Sequence, residues 1–255
     1  MTKKAWIAAA LVLALGVTVG FAQTAADFDI TLTEDGKGAV IVKYTGRGGM
    51  VRIPAAIEGF PVREIAGDAF YENKTITGVV IPPGVTKIGD SAFLGCSNLA
   101  RADIPNTVTV IGDSAFYACS LTTVVIPDSV RSMGEAAFHS NKKMTSITLG
   151  KSLTVIPSNA FYGCENFTAI VIPEGVTEID QSAFSNCKNL RSVTLPSTIK
   201  EIGSEAFWFC EALTTVTIPG SVTAIKWWSE AFRGCSKLPL ATQAALKRLG
   251  YTDLF

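Results

Sequence analysis

The dipeptide Ala-Phe recurs along the chain at a nearly constant interval. Its eight copies end at phenylalanines that are 23, 23, 22, 23, 23, 23 and 25 residues apart. A period of roughly 20 to 50 residues is typical of a repeat architecture, in which each repeat forms one coil and stacks on its neighbours. The spacing therefore predicts a repeat solenoid with one buried column of phenylalanines, which are Phe70, Phe93, Phe116, Phe138, Phe161, Phe184, Phe207 and Phe232.

Each repeat also contains the alternation of a short β-strand. In one copy, Val216 and Ile218 lie two residues apart and share a face, whereas Thr215 and Thr217 point to the other face. Pro219 ends this strand because proline cannot donate to a sheet ladder. A return arm then places two more apolar residues in the same core. We expect parallel strands centred near residues 79–81, 102–104, 124–126, 147–149, 170–172, 193–195 and 216–218.

Over residues 53–235 the chain follows one pattern, Cys/Asn-x-x-Leu-x-x-Val-x-Ile-Pro-x-x-Val-x-x-Ile-Gly-x-x-Ala-Phe. This pattern resembles the BspA-like leucine-rich repeats of host-associated bacteria. The resemblance implies a leucine-rich-repeat-like right-handed coil with short parallel strands on its concave face. It also implies an exported protein associated with adhesion to host matrix proteins and with bacterial co-aggregation.

The first residues have the pattern of an export signal. Lys3 and Lys4 precede an uncharged apolar run at residues 5–19, and small residues flank Phe21 immediately before Gln23. The run is shorter than the roughly 20 residues of a membrane-spanning helix. We therefore predict a signal peptide at residues 1–22 and no membrane insertion after cleavage; the alternative is a retained membrane anchor.

Two segments that flank the repeats are predicted to be caps. Residues 28–32 and 39–44 are separated by a turn and are expected to pair as a β-hairpin. Residues 240–249 have helical spacing and end in basic residues before Gly250. The predicted organisation is a signal peptide (1–22), an N-terminal β cap (23–52), a solenoid of about eight repeats (53–237) and a C-terminal capping helix (238–255).

Four repeats depart from the regular length or composition. Residues 56–61 are surplus to one repeat and are expected to form a loop, and residues 226–230 lengthen the last repeat. The segment Cys119-Ser120-Leu121 is one residue short, and Gly150 stands where other repeats have proline. We expect a local change of curvature in this middle region and no break.

Charge and residue content exclude several classes of function. The chain has 22 basic and 22 acidic residues, and a balanced charge argues against a nucleic-acid partner or a polybasic attachment to lipid. His139 is the one histidine, so the chain lacks the partners for a Cys–His pair or a typical metal cluster. The glycines recur with the repeat and form no phosphate-binding loop. We therefore predict a protein that is not an enzyme and that needs no cofactor or metal.

Six cysteines occupy a single repeat position, which Asn73 and Asn141 fill in two other repeats. This exchange favours buried free thiols, because it indicates a small polar side chain that bonds to the backbone of a turn. Disulfides between neighbouring coils are the alternative, since in-register coils bring Cα atoms within bridging distance. The cysteines are Cys96, Cys119, Cys164, Cys187, Cys210 and Cys235.

Two surfaces are candidates for binding. The first is the outward side of the predicted strands, which is small, flat and nearly uncharged. Its candidate residues are Arg101, Asp103, Thr123, Val125, Ser146, Thr148, Ser192, Thr194, Thr215 and Thr217, with Gly78, Val80, Ala169 and Val171 in the same rows. The second is the position after each core phenylalanine, where Tyr71, Tyr117, His139, Tyr162 and Trp208 form an aromatic ladder with Leu94, Ser185 and Arg233.

Each surface also has a purely structural interpretation. The outward strand residues suit a pleated sheet by their β-propensity alone, and the aromatic residues could pack sideways between coils rather than contact a protein or a sugar ring. We favour the strand side narrowly, with Arg101 and Asp103 orienting a partner by charge.

Two functional hypotheses follow. The first is an exported, non-enzymatic recognition protein for cell-surface adhesion or protein–protein interaction, whose partner is a host matrix protein, a bacterial surface protein or a glycan. The second is a structural or scaffolding solenoid of the periplasm.

Overall fold

The computed structural model describes residues 23–225 and 230–251. It shows a β-solenoid of parallel strands in which each Ala-Phe dipeptide belongs to one coil, so the predicted fold class is confirmed. The predicted signal peptide and residues 226–229 of the lengthened last repeat lie outside the described residues.

The predicted strands form the first of two parallel ladders. They pair in register with the strand one repeat later, as where Thr123, Val124 and Val125 lie beside Ser146, Ile147 and Thr148. They lie about one residue earlier than the predicted centres, because each ends before the last apolar residue of its pattern. The strands are Gly49–Arg52, Ile76–Val80, Arg101–Asp103, Thr123–Val125, Ser146–Thr148, Ala169–Val171, Ser192–Thr194 and Thr215–Val216. We call the outward side of this ladder the strand face.

The return arms form a second parallel ladder, which the sequence analysis treated only as apolar positions. Most of its strands are two residues long, and where they pair, a buried isoleucine or methionine lies beside that of the next coil, as Ile88 does beside Ile111; Ile225, in the last strand, is partly buried. The strands are Ala39–Tyr44, Phe60–Ile65, Lys87–Ile88, Val110–Ile111, Ser132–Met133, Val155–Ile156, Glu178–Ile179, Glu201–Ile202 and Ala224–Ile225.

Between the two ladders, the eight phenylalanines form the predicted column. All are at most 2% exposed, and neighbouring ring centroids are 4.6 to 5.8 Å apart. Tyr44 extends the stack at its N-terminal end, 5.1 Å from Phe70, and Tyr251 meets Phe232 edge-on at the other end. The column therefore runs without interruption from one cap to the other.

The N-terminal cap is the predicted hairpin. Phe28–Leu32 pairs antiparallel with Ala39–Tyr44, which in turn pairs parallel with Phe60–Ile65 and so closes the end of the second ladder. A short 3-10 helix, Ala25–Asp27, precedes the hairpin. The side-chain oxygen of Gln23 accepts a hydrogen bond from the backbone N–H of Arg52, at the first strand of the first ladder.

The C-terminal cap is the helix Leu240–Arg248, close to the predicted span. Its Leu246 is buried, and the Thr242 hydroxyl donates to the Val216 carbonyl at 2.8 Å. The hydroxyl of Tyr251 accepts a hydrogen bond from the backbone N–H of Phe232. These contacts attach the helix to the strand and to the phenylalanine of the final coils.

The surplus residues 56–61 do not form a loop, and this expectation was wrong. Ala56–Ile57 pairs antiparallel with the start of Phe60–Ile65, and Ile57 is buried. Glu58 and Gly59 have φ values of 53° and 85°, which is the conformation of a tight two-residue hairpin turn. The buried isoleucine explains why the surplus residues fold back onto the sheet.

The coils continue through the middle of the solenoid, where backbone hydrogen bonds still join Phe138 to Ala160, but the strand ladders are interrupted there. The first ladder is interrupted between Arg101–Asp103 and Thr123–Val125, and again between Ser146–Thr148 and Ala169–Val171, while the second is interrupted after Ser132–Met133. The phenylalanine column continues through all these positions. Its longest step, 5.8 Å, joins Phe138 to Phe161 in the same region.

Candidate functional site

The cysteines form a row of buried free thiols, as favoured from the sequence. Each sulfur donates to the carbonyl of the core phenylalanine in the preceding coil, with distances of 3.0 to 3.4 Å. Burial raises the pKa of Cys96 to about 11 and that of Cys164 to about 12. These two thiols are therefore protonated at neutral pH, and the buried row is structural rather than reactive.

Asn141 replaces cysteine in the coil that follows the shortened turn, where its amide side chain makes hydrogen bonds in both directions. Its Nδ2 donates to the carbonyls of Phe116 and Phe138, at 2.8 and 2.9 Å. Its Oδ1 accepts from the backbone N–H of Leu121, which lies in the shortened turn of the preceding coil. An amide supplies this acceptor, whereas a thiol at the same place is a weak one.

The strand face is exposed along most of its length. Val125 and Val171 have 62% and 66% of their surface exposed, which is high for large apolar residues. Two depressions lie on this face, one of about 530 Å³ around Ala102 and Val125 and one of about 400 Å³ around Thr194 and Thr217. The face therefore offers contact area with shallow relief, in which the charged residues are Arg101 and Asp103 beside the first depression and Glu174 beside the second.

Arg101 and Asp103 project together from this face, as predicted, but they bind to each other. Arg101 Nε donates to Asp103 Oδ1 at 2.7 Å and a terminal guanidinium nitrogen donates to Oδ2 at 2.8 Å. The hydrogen bond and charge of Asp103 raise the pKa of Arg101. Because the two hydrogen bonds hold the opposite charges together, the pair exerts little net electrostatic field on a partner.

The strand face extends one coil further than the sequence analysis placed it. Met50, in the strand Gly49–Arg52, lies over Gly78 so closely that a Cβ on that glycine would be 2.5 Å from the Met50 methyl carbon. Met50 itself is 41% exposed. The alternation of Val51 and Ile53 was a usable signal, but the turn glycines before it obscured the strand.

The aromatic ladder is only partly a continuous surface. His139 is stacked between Tyr117 and Tyr162, with centroid distances of 4.4 and 4.6 Å. Tyr71 stands alone and exposed, and Trp208 packs edge-on against Phe209. The three stacked rings thus turn their faces to one another, which corresponds to the sideways packing considered from the sequence.

The His139 site is polar at its edge. Nδ1 lies 2.8 Å from the Ser140 hydroxyl, and the hydroxyl of Tyr162 accepts a hydrogen bond from Asn186. Burial lowers the pKa of His139, so the ring is neutral at neutral pH. Across residues 23–225 and 230–251, no three His, Cys, Asp or Glu side chains are grouped to hold a metal ion.

A capped stack of parallel-strand coils with an exposed sheet surface defines a leucine-rich repeat solenoid. The chain belongs to the BspA-type leucine-rich repeat family, whose repeat-region model matches residues 63–165 and 154–243 in six copies. Solenoids of this class are generally non-enzymatic and act in protein–protein interaction or recognition. The part of the chain that the structure describes contains no helix with the length and apolarity to span a membrane.

Solved structures of bacterial leucine-rich repeat proteins are similar to this chain. One from T. pallidum is 30% identical, with a TM-score of 0.74, and the match covers 92% of this chain and 99% of that one. Proteins from Bacteroides ovatus and Eubacterium ventriosum are 22% and 25% identical, with TM-scores of 0.61 and 0.62. Those matches cover 86% and 75% of this chain but only 63% and 60% of theirs. No curated protein matches the sequence.

Proposed function

We propose that this protein is an exported recognition protein without enzymatic activity, which contributes to adhesion at the cell surface through its strand face. The observation that carries the proposal is an exposed sheet surface, without charged residues from Thr123 to Thr217, that is supported by one uninterrupted core. The signal-like pattern of residues 1–22 supports export. The partner is a macromolecule outside the cell, namely a host matrix protein or a component of another bacterium.

A rigid support favours binding by such a flat surface. The strands of the face are fixed from below by the phenylalanine column, in which every ring is at most 2% exposed. Little conformational entropy is then lost when a partner docks, and this loss is a main cost of association. The exposed Val125 and Val171 supply apolar surface, and its removal from water on binding favours association.

The aromatic ladder is the weaker candidate on geometric grounds. Sugar rings and partner side chains stack on aromatic faces, but both faces of His139 and one face each of Tyr117 and Tyr162 are already covered. Beyond the stack there remain a row of ring edges and one face of each tyrosine, at opposite ends of the stack. Tyr71, which is 51% exposed, has free aromatic surface but stands alone.

Location and partner are tested together with the mature chain, residues 23–255. An antibody to this chain should label intact cells, and the immobilised chain should retain a component of host matrix or of bacterial envelope extracts. Labelling that appears only after permeabilisation, with retention of envelope components alone, would contradict adhesion and support a periplasmic scaffold.

A further inference from the structure

The hydroxyl groups on the strand face lack a contact that many hydroxyls make elsewhere in the solenoid. Away from this face, several threonine hydroxyls donate to a backbone carbonyl one coil earlier, as Thr145 does to Thr122 and Thr214 does to Arg191, both at 3.2 Å. On the strand face of the described residues, no serine or threonine hydroxyl has a hydrogen-bond partner within the chain. Three coils carry complete pairs of such hydroxyls: Ser146 and Thr148, Ser192 and Thr194, and Thr215 and Thr217.

The sheet itself explains this difference. Backbone carbonyls in a parallel ladder are engaged with the neighbouring strand, and side chains stand perpendicular to the sheet and away from them. The strand-face hydroxyls therefore keep both a donor and acceptor lone pairs for an external group. Their spacing follows the coils, at about 4.8 Å between neighbouring coils and about 7 Å along a strand.

The charge of this face restricts what it can bind. From Thr123 to Thr217 the outward positions carry no charged residue. Arg101 and Asp103 neutralise each other, and Glu174, at the rim of the second depression, accepts hydrogen bonds from the backbone N–H and hydroxyl of Ser197. A strongly charged polymer would lose hydration here without gaining an opposite charge. An uncharged partner avoids that cost.

The dimensions of the face favour a linear partner. Two outward side chains per strand over about seven coils give a strip on the order of 300 Å², using the usual sheet spacings. A standard protein–protein interface needs about 800 Å² on each partner. An extended peptide would also fit the strip, but each of its backbone groups is only a donor or only an acceptor, whereas a sugar hydroxyl can act as either toward the hydroxyls of the face.

We propose that the strand face binds a single neutral glycan chain that lies along the axis of the solenoid. Sugar hydroxyls both donate and accept, so they match the free hydroxyls of each coil, while the C–H surfaces of the rings contact Val125 and Val171. This inference rests on the proposed function and names the ligand class of the same surface. A glycan carried by a host or bacterial surface component would be the natural partner.

The test uses the folded mature chain and neutral oligosaccharides of about six sugars, built from glucose, mannose, galactose or N-acetylglucosamine, with heparin and hyaluronate as charged probes. We expect at least one neutral probe to bind by titration calorimetry, more tightly than either charged probe. Its affinity should change less than about twofold between 50 and 500 mM salt, since screening acts on charges. Absence of binding by every neutral probe, or tighter binding of heparin, overturns the proposal.

Matched variants locate the site. Thr194→Val with Thr217→Val removes two free hydroxyls at nearly constant shape and should weaken binding at least fivefold. Thr145→Val with Thr214→Val removes two hydroxyls that bond within the chain and should change affinity less than twofold, provided that both variants melt as folded proteins. Equal losses in the two variants, or no loss in the first, contradict the assignment to this face.

A captured partner separates this inference from the proposed function. If enzymatic removal of the partner's glycans abolishes capture, both are supported. If capture survives deglycosylation, recognition stands and the glycan proposal fails. If the folded chain retains neither matrix nor envelope components, both the proposed function and the glycan proposal fail.

Discussion

Each core phenylalanine is shared by the coil that carries it and by the coils on either side. The ring of Phe161 lies 5.8 Å from that of Phe138 and 5.3 Å from that of Phe184. Its removal leaves a cavity that no single coil can close, because the ladders on both sides fix the spacing. Side chains on the strand face, by contrast, have water as their neighbour.

The first prediction compares these two environments. Phe161→Ala should lower the free energy of unfolding by about 3–5 kcal/mol, as expected for a large buried aromatic side chain. Thr194→Ala, on the strand face, should cost less than about 1 kcal/mol. Denaturant titration of the two variants measures the difference. Equal losses would mean that the inside and outside of the coil have been exchanged.

Asn141 compensates for the missing residue in the preceding turn. Asn141→Cys would restore the usual residue of the repeat, yet it should cost about 1–3 kcal/mol, because the Leu121 N–H then lacks an acceptor. The control is a second chain with one residue inserted between Ser120 and Leu121, which restores the normal turn. There the same substitution should cost clearly less. The same cost in both chains would show that the two irregularities are independent.

At the scale of the element, the thiol row links each coil to the previous one. Each donating sulfur is directed at a phenylalanine carbonyl. Five of these six carbonyls also accept the backbone N–H of the residue that their own coil places in the row, as Phe93 does from Cys96, whereas Phe138 accepts the side-chain amide of Asn141. The denatured mature chain, kept without reductant, should therefore react with close to six equivalents of a thiol reagent. The native chain should react far more slowly. Two or fewer reactive thiols after denaturation would instead reveal disulfides between coils.

Burial of the thiols also predicts a pH dependence. The pKa of Cys96 is raised from 9.0 to about 11 in the folded chain, so the folded state holds its proton more tightly than the unfolded state. The resulting stability is complete below pH 9 and is lost as pH rises toward 11. Between these values, the stability of the parent chain should fall more steeply than that of Cys96→Ser, by up to about 1.4 kcal/mol per pH unit. Parallel curves would contradict a buried, protonated thiol.

The backbone conformation of the turns and the short strands of the second ladder could not be predicted from the sequence. Seven coils have a residue with positive φ on each side of the Ala-Phe dipeptide, and glycine occupies none of the positions before it. The residues at those positions are Asp68, Ser91, Ser114, Ala136, Asn159, Ser182 and Glu205. The packing of neighbouring coils imposes this conformation, so no local residue type signals it. The two-residue strands of the second ladder escaped prediction for a similar reason, since they exist only through pairing between coils.

At the scale of the whole molecule, the repeat made the fold predictable but did not identify the binding site. The spacing of the Ala-Phe dipeptides predicted the buried column because every coil must place its largest side chain at the same depth. The sequence also brought Arg101 and Asp103 to one face. It could not show that the two side chains would bind each other, or that His139 would be stacked between two tyrosines. Those facts depend on side-chain orientation across coils.

Recognition is proposed to take place on the strand face. The most direct measurement compares two folded variants against the captured partner. Val125→Glu with Val171→Glu introduces charge on that face, and Tyr162→Ala with Trp208→Ala removes aromatic area from the ladder. Ser97→Glu with Ser236→Glu, at exposed turns, controls for added charge. We expect only the valine pair to weaken binding, by at least tenfold. Loss of binding in the aromatic pair alone would place the site on the aromatic ladder and contradict this account.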